Sequence, residues 1–361
     1  MARNILIRIT KAMIALLTIA TFVGIVAVDA WWIRVFDFPR LQFAALLVLA
    51  MAGLFALCRA KARWWLAVGT VALAFQLYQV FPYSSLADRQ AIPAINCVPE
   101  RRLHLLSLNV LQDNRDYGRT LELVRTEQPD VFLAMEVDAA WIDALTPLEV
   151  DYPYSRRIPL DNKYGMALYS RLPLSEVEHL ELAGDDTPLI RARVEMGSGL
   201  RPTFFAVHPL PPRPGQDSGQ RDAELVLLAD LVRDSGRPTL VMGDFNDVPW
   251  SRVSETFQRV GEMVDPRIGR GFFASFDATN PAMRWPLDHL FHTEDFGVMR
   301  FETGQGVGSD HYPLIATLCL QTERFEPLQD APAYTQEARE NAREELESAD
   351  PAMVDAIPGN E

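Results

Sequence analysis

Apolar and polar positions divide the chain before any motif is considered. Three long apolar stretches come first, roughly at 12–33, 41–58 and 64–81. Each has about the ~17–25 residues that an α-helix needs to cross a hydrocarbon core of ~30 Å. From residue 103 the pattern changes to short apolar runs alternating with longer amphipathic ones. "RLHLLSLNV", "PDVFLAME", "GMALYS", "LIRARVEM", "PTFFAVH", "PTLVMGD", "LDHLFH" and "YPLIATLCL" read as strands. "YGRTLELVRTEQ", with Leu121 and Val124 three apart, "DAAWIDAL" and "GQRDAELVLLADLVRDSG" read as helices. Helices are fewer than strands and some strands are joined by hairpins, which argues against a purely parallel, doubly wound sheet. The pattern predicts an α+β fold: two packed, mainly antiparallel sheets flanked by helices, a four-layer sandwich preceded by three transmembrane helices.

The first apolar stretch follows Arg3, Arg8 and Lys11, as a secretory signal would. It contains Asp29, however, ends in Trp31–Trp32 without a small-residue cleavage site, and two more apolar stretches follow it. Trp31, Trp32, Trp64 and Trp65 lie near segment ends, as interfacial belts do. Basic residues at 3–11 and Arg59, Lys61 and Arg63 in "CRAKARWW" mark two cytoplasmic sides, weakly opposed by Arg34 and Arg40 in the connector between them. Three crossings then put everything after residue 82 outside. The expected location is the bacterial inner membrane, multi-pass, with the soluble body in the periplasm.

Charge follows the same division. Residues 1–99 carry nine Lys/Arg and three Asp/Glu, and the remainder carries 25 basic and 45 acidic residues. The expected organisation is a membrane segment at 1–81, a linker at 82–102 with Pro82, Pro93 and Pro99, a compact body at 103–320, and an acidic tail at 321–361. That tail, with eleven acidic and three basic residues and no apolar stripe that demands packing, is expected to be disordered. Cys97 and Cys319 flank the body and are available to pair in an oxidising compartment.

Polar residues recur at one place in the strand pattern. "SLNV", "AMEV", "AVHP", "VMGDFNDVPW", "PLDHLF" and "GSDHYP" put Asn109, Glu136, His208, Asp244, Asn246, Asp288, Asp310 and His311 at or just past the end of an apolar run. Strand ends opening on one rim would gather these side chains round a single cleft. Four carboxylates and two asparagines form an oxygen-rich set suited to a hard divalent cation. His208 and His311 add groups that exchange protons near neutral pH. A cation neutralising phosphoryl oxygens, beside a histidine that prepares or protonates an oxygen, is equipment for attacking phosphorus. Single fragments do not carry this, since an isolated "GDFN" suits an Asx turn and Glu136 alone could open a helix.

All these blocks, in this order, resemble the endonuclease/exonuclease/phosphatase superfamily over about residues 103–320. "HPLPP" and "YGMALYSR" are similar to its membrane-attached bacterial members. The resemblance implies that Glu136 and Asp310, helped by Asn109, hold Mg²⁺ or Mn²⁺. Asp288 is implied to orient His311, the family's general base or transition-state contact, and Asp244 to orient or deprotonate the attacking water. Asn246 would touch a phosphate oxygen and His208 would stabilise or protonate at the phosphate. With two metals, Asp244, Asn246 and His311 would face the second ion. Met135 stands where the family block usually carries glutamine. Asn162 and Tyr164 lie where family members approach substrate.

Other histidines read as outside the site: His104 packed or exposed according to register, His179 on the surface, and His289 and His292 structural. Arg221, one turn into its helix, suits either a phosphate contact or a surface salt bridge. The proline-rich "PLPPRPGQDSG" after His208 is expected to form a loop at the cleft mouth. The body at 100–320 has 22 basic and 34 acidic residues, a poor footprint for a long DNA groove. The expected function is therefore a membrane-anchored phosphoesterase that hydrolyses a phosphodiester by water attack. Its partners are the lipid bilayer and a phosphoester substrate, whether a lipid head group, a small phosphodiester or nucleic acid; no protein partner is inferable. A nuclease is one alternative. Another is an inactive membrane-tethered binding protein, against which stands the presence of every expected ligand and histidine.

Overall fold

A computed structural model describes residues 1–184, 187–197, 199–321, 329, 331–350 and 353. Its first part contains α1 (Ala2–Val23), the short α2 (Trp31–Arg34), α3 (Arg40–Cys58) and α4 (Arg63–Val80). Three spans, Ala2–Val23, Arg40–Cys58 and Arg63–Tyr83, are long and apolar enough to cross a membrane, and the chain is a multi-pass membrane protein. The first helix lies further toward the N-terminus than its apolar stretch suggests. Arg3, Arg8 and Lys11 are inside it, where long side chains can bury their stems and keep the charge in water. It stops before Gly24, leaving Asp29 outside the span.

The body begins with β1 (Arg102–Asn109), α5 (Tyr117–Glu127), β2 (Val131–Met135), α6 (Ala139–Leu145), β3 (Tyr154–Ile158) and β4 (Met166–Ser170). It continues through β5 (Leu174–Leu180), β6 (Leu189–Val194), β7 (Thr203–Val207), α7 (Gly219–Ser235), β8 (Thr239–Asp244) and α8 (Arg252–Val260). Last come β9 (Asp288–His292), β10 (Phe296–Thr303), β11 (Leu314–Leu320) and α9 (Gln336–Ala349). One sheet has the order β10-β11-β1-β2-β4-β3 and the other β5-β6-β7-β8-β9. Among the described strand pairs, β1–β2 and β7–β8 are parallel and the others antiparallel.

Side-chain alternation explains the four layers. Leu103 and Leu105 of β1 enter the core between the sheets with Leu133, Phe204, Met242 and Leu290. Their neighbours Leu106 and Leu108 pack on the opposite face against Val124, Trp141 and Leu145 of α5 and α6. The second sheet is covered in the same way, Phe205 and Val241 meeting Leu228 of α7 and Phe257 of α8. Strands buried on both faces read as continuous apolar runs rather than alternating ones, and burying each large side chain contributes about 1.5–3 kcal/mol.

Two expectations about the flanking segments change. The 82–102 segment is docked along much of its length. The Tyr83 hydroxyl donates to Pro249 O at 2.7 Å, Ala91 is fully buried, and the Ala94 N–H donates to Val298 O at 3.0 Å. Cys97 is disulfide-bonded to Cys319. Within the acidic tail, α9 packs on α7 and α8 through Ala338, Ala342 and Leu346. Two alanines and one leucine among five glutamates make a stripe too weak to stand out in the sequence, yet they bury completely enough to dock. Thr335 caps this helix, accepting from the Ala338 N–H at 3.2 Å. Residues 322–328, 330, 351–352 and 354–361 of that expected tail lie outside the described residues.

Candidate active site

Sheet polarity brings the polar strand ends together. β1 and β2 run parallel, so Asn109 and Glu136 emerge at one end; β7 and β8 deliver His208 and Asp244 in the same way. β9 and β11 run antiparallel to β8 and β1, so Asp288 and the Asp310–His311 pair return to that end. Asp244 and Asp288 are register partners. Gly243 permits the close approach of β7, because a Cβ there would lie 1.9 Å from Val207 O. His208 and Asp244, the residues that follow this contact, are thereby held side by side.

Asp244 is the centre of the cluster. Its Oδ2 lies 3.5 Å from His311 Nε2 and 3.8 Å from His208 Nε2. The same oxygen accepts from Asn109 Nδ2 at 3.2 Å, and that amide also reaches Glu136 Oε1 at 3.0 Å. His311 Nδ1 is 2.7 Å from Asp288 Oδ2. Asp244 Oδ1 accepts from the Asn246 N–H at 2.9 Å, and Asn246 Nδ2 donates to Pro209 O at 2.9 Å. Glu136 and Asn246 both have left-handed backbones, with φ of 61° and 50°. Such conformations cost on the order of 1–3 kcal/mol each and persist where surrounding bonds fix them.

Burial and neighbouring charge act in opposite directions on these groups. Burial drives His208 below the ordinary histidine range, although Asp244 pulls the other way. His311 is also depressed by burial, but Asp288 and Asp244 outweigh it and lift the imidazole to about 10. Burial raises Asp244, with His311 opposing. Asp310 is raised by burial and by nearby Glu136, again against His311.

The cluster fits a cation. One ligand atom each from Asp244, Asp288 and His311 lie within 4.8 Å of one another. Asp288 Oδ1 is buried without a hydrogen-bond partner among the described residues, an expensive state for a polar atom unless something else engages it. Carboxylate oxygens with imidazole nitrogen suit a divalent ion. The expected ligands Glu136, Asn109 and Asp310 adjoin this triad, Asn109 bonding both Glu136 and Asp244.

A model of the Endonuclease/Exonuclease/phosphatase family matches residues 106–311, more than half of the chain. The chain belongs to this family. Its fold is similar to that of D. rerio TDP2 humanized by 14 mutations, with a TM-score of 0.53 and 19% identity over 60% of this chain and 99% of that one. An endonuclease/exonuclease/phosphatase from Beutenbergia cavernae gives 0.51 and 18%, over 61% of this chain and 72% of the other. A search of curated proteins finds no match. As an endonuclease/exonuclease/phosphatase protein with a triad able to hold a metal ion, the chain is a divalent-metal-dependent phosphoric ester hydrolase.

Gln112, Ser309 and Phe276 surround this family site and carry no signal of their own in the sequence. Gln112 donates its backbone N–H to Glu136 Oε2 at 3.1 Å. The Ser309 hydroxyl donates to Asn109 O at 2.6 Å and accepts from the His311 N–H at 3.0 Å. Phe276 lies against the His311 ring at 5.0 Å between centroids, and Tyr164 lies 5.3 Å from His208. Met135, in place of the usual glutamine, points its sulfur at the Asp244 N–H, 3.1 Å away.

Arg221 meets neither sequence expectation, being 2% exposed and well away from the surface. It donates to Asn246 O at 2.8 Å, pairs with Asp222 at 2.6 Å, and lies 3.4 Å from Asp247. His289 points away from the cluster, with Nε2 2.9 Å from Asp247 O and Nδ1 3.0 Å from Arg267. Successive carbonyls of the loop after β8 are therefore held by two buried cationic or imidazole groups. That loop carries Asn246.

Proposed function

We propose that this chain is a bacterial inner-membrane phosphodiesterase of the family's membrane-tethered branch, with its catalytic body in the periplasm and Mg²⁺ or Mn²⁺ as its ion. The observation that carries the mechanism is the continuous contact from Asp288 through His311 to Asp244, with Asn109 joining Asp244 to Glu136. Glu136, Asp310 and Asn109 would hold the ion. When bound, the metal neutralises phosphoryl charge and favours attack at phosphorus.

The protein groups then divide the remaining work. Asp288 accepts the Nδ1 proton of His311, fixing the ring and favouring its charged form. Charged His311 directs Nε2–H toward the reacting phosphate, where negative charge grows. Asp244, made more basic by burial, takes a proton from water as the oxygen bonds to phosphorus and the ester P–O bond breaks. Asn246 spends one amide hydrogen on Pro209 O and has another for a phosphate oxygen. His208 is close enough to donate at the phosphate or to the departing oxygen.

Hydrolysis of bis(p-nitrophenyl) phosphate by the purified full chain in H₂¹⁸O tests this route. One ¹⁸O in the p-nitrophenyl phosphate product is expected. Turnover that leaves the label in p-nitrophenol, or no turnover with either metal, would overturn it.

A further inference from the structure

The connector between the first two membrane spans touches three loops that adjoin site residues. The Trp31 N–H donates to Asp217 Oδ1 at 3.0 Å, and the Ser218 N–H donates to Asp29 O at 2.8 Å, so the proline-rich loop after His208 rests on the connector. Trp250 Nε1, six residues past Asp244, donates to Asp37 O at 2.7 Å. On the third loop, Gln42 in the first turn of α3 donates to Ala282 O at 3.1 Å.

That third loop also reaches the chemistry. Phe38 meets Trp285 edge-on at 5.9 Å, Trp285 stacks on Phe276 at 6.0 Å, and Phe276 lies 5.0 Å from His311. The Ala278 N–H donates to Asp310 O at 2.7 Å. Three ring contacts thus span from the end of a membrane helix to the proposed catalytic imidazole. Next to Ala282, Met283 remains 47% exposed, and on the connector Ile25 and Trp32 are each 55% exposed. Apolar side chains left uncovered at a span's outer end belong at a lipid boundary.

We propose that the substrate of this site is a phosphoester borne by a membrane lipid and presented at the surface of the leaflet in which the connector sits. The inference rests on the phosphodiesterase reading above and adds the source of the phosphodiester. A cleft whose adjoining loops rest on a connector at the bilayer meets lipid head groups at high effective concentration, while a long duplex must lie against the same bilayer and an acidic body. Recognition of the acyl-bearing end therefore falls to the bilayer itself, and the cleft reads the phosphate.

The test uses the full chain in proteoliposomes with three probes: phosphatidylethanolamine and phosphatidylglycerol in the vesicle, their deacylated glycerophosphodiesters in solution, and duplex DNA at equal phosphate. Bis(p-nitrophenyl) phosphate reports on basal activity. The lipids should be cleaved with kcat/KM about 10²-fold or more above the deacylated compounds. Met283→Asp should lower the lipid-to-soluble ratio several-fold. Hydrolysis of bis(p-nitrophenyl) phosphate with no lipid preference, or with DNA as the best substrate, overturns this inference and leaves the phosphodiesterase reading standing. Inactivity on every probe, bis(p-nitrophenyl) phosphate included, overturns both.

Discussion

Arg221 offers the sharpest mutational test of how the site is held. Its guanidinium neutralises Asp222, which is fully buried, and lies against Asp247, which is 1% exposed. Asp247 has other support, since the hydroxyls of Ser251 and Ser254 both donate to it. Asp222 keeps the Ser218 hydroxyl, at 2.7 Å, and the more distant charge of Arg34. Arg221→Met therefore leaves one buried carboxylate poorly compensated and removes the donor to Asn246 O. Breaking a buried pair on one side costs about 3–5 kcal/mol, and the carbonyl bond adds about 1 kcal/mol. Arg221→Lys retains the charge but cannot span both partners, so its cost should be nearer 1–2 kcal/mol.

Activity should report the other half of the role. Without Arg221 the left-handed Asn246 loses its carbonyl restraint, and displacement of reacting groups by an ångström costs up to ~10²-fold in rate. Thermal midpoints in detergent and kcat on bis(p-nitrophenyl) phosphate should both fall in the order wild type, Lys, Met. A Met variant matching wild type in midpoint and kcat would refute the reasoning, as would a Lys variant that is stable yet fully active.

Three further outcomes are expected. His311→Ala should reduce turnover by about 10²-fold or more and Asp288→Asn by less, both measured on folded protein at saturating metal; near-normal rates in both would exclude the proposed pairing. Glu224 is fully buried, and burial raises its carboxyl from 4.5 to about 8 with the Thr187 hydroxyl opposing. The folded state thus holds this proton more tightly, so its contribution is complete below pH ~4.5 and is lost as pH rises toward 8. Glu224→Gln should stabilise by about 3 kcal/mol at pH 7 and by little at pH 5, and equal denaturation midpoints at both would contradict this. A reporter fused after residue 320 should be active only when exported, and cytoplasmic activity would reverse the proposed topology.

Much of the architecture was legible because the central strands of both sheets are buried on two faces and appear as apolar runs, several of which carry a polar residue at the functional rim. Strands β3 and β5 expose polar side chains and do not appear as such runs. Asn109, Glu136, His208, Asp244, Asp288, Asp310 and His311 stand at such ends, and parallel pairing of β1 with β2 and β7 with β8 explains why one rim collects them. The docked tail helix was not legible, because Ala338 and Ala342 contribute little hydropathy although their small size permits close packing. Arg221 was ambiguous for a related reason. Its partners Asn246 O and Asp247 come from a loop 25 residues away, and no local pattern reveals a backbone carbonyl as the target. Docking of the 29–38 connector is equally non-local, since Asp29, Asp37 and Phe38 find partners near residues 218, 250 and 285.

Metal dependence of turnover, followed by titration, tests the central claim most directly. The full chain should lose hydrolysis of bis(p-nitrophenyl) phosphate after chelation and regain it as Mg²⁺ or Mn²⁺ is added. Glu136→Ala should need at least about 10-fold more metal for half-recovery, in the range by which ligand-shell changes weaken binding, or fail to recover. Turnover that survives thorough chelation, or a folded Glu136→Ala variant that titrates like wild type, would contradict a metal-dependent phosphoesterase built on this cluster.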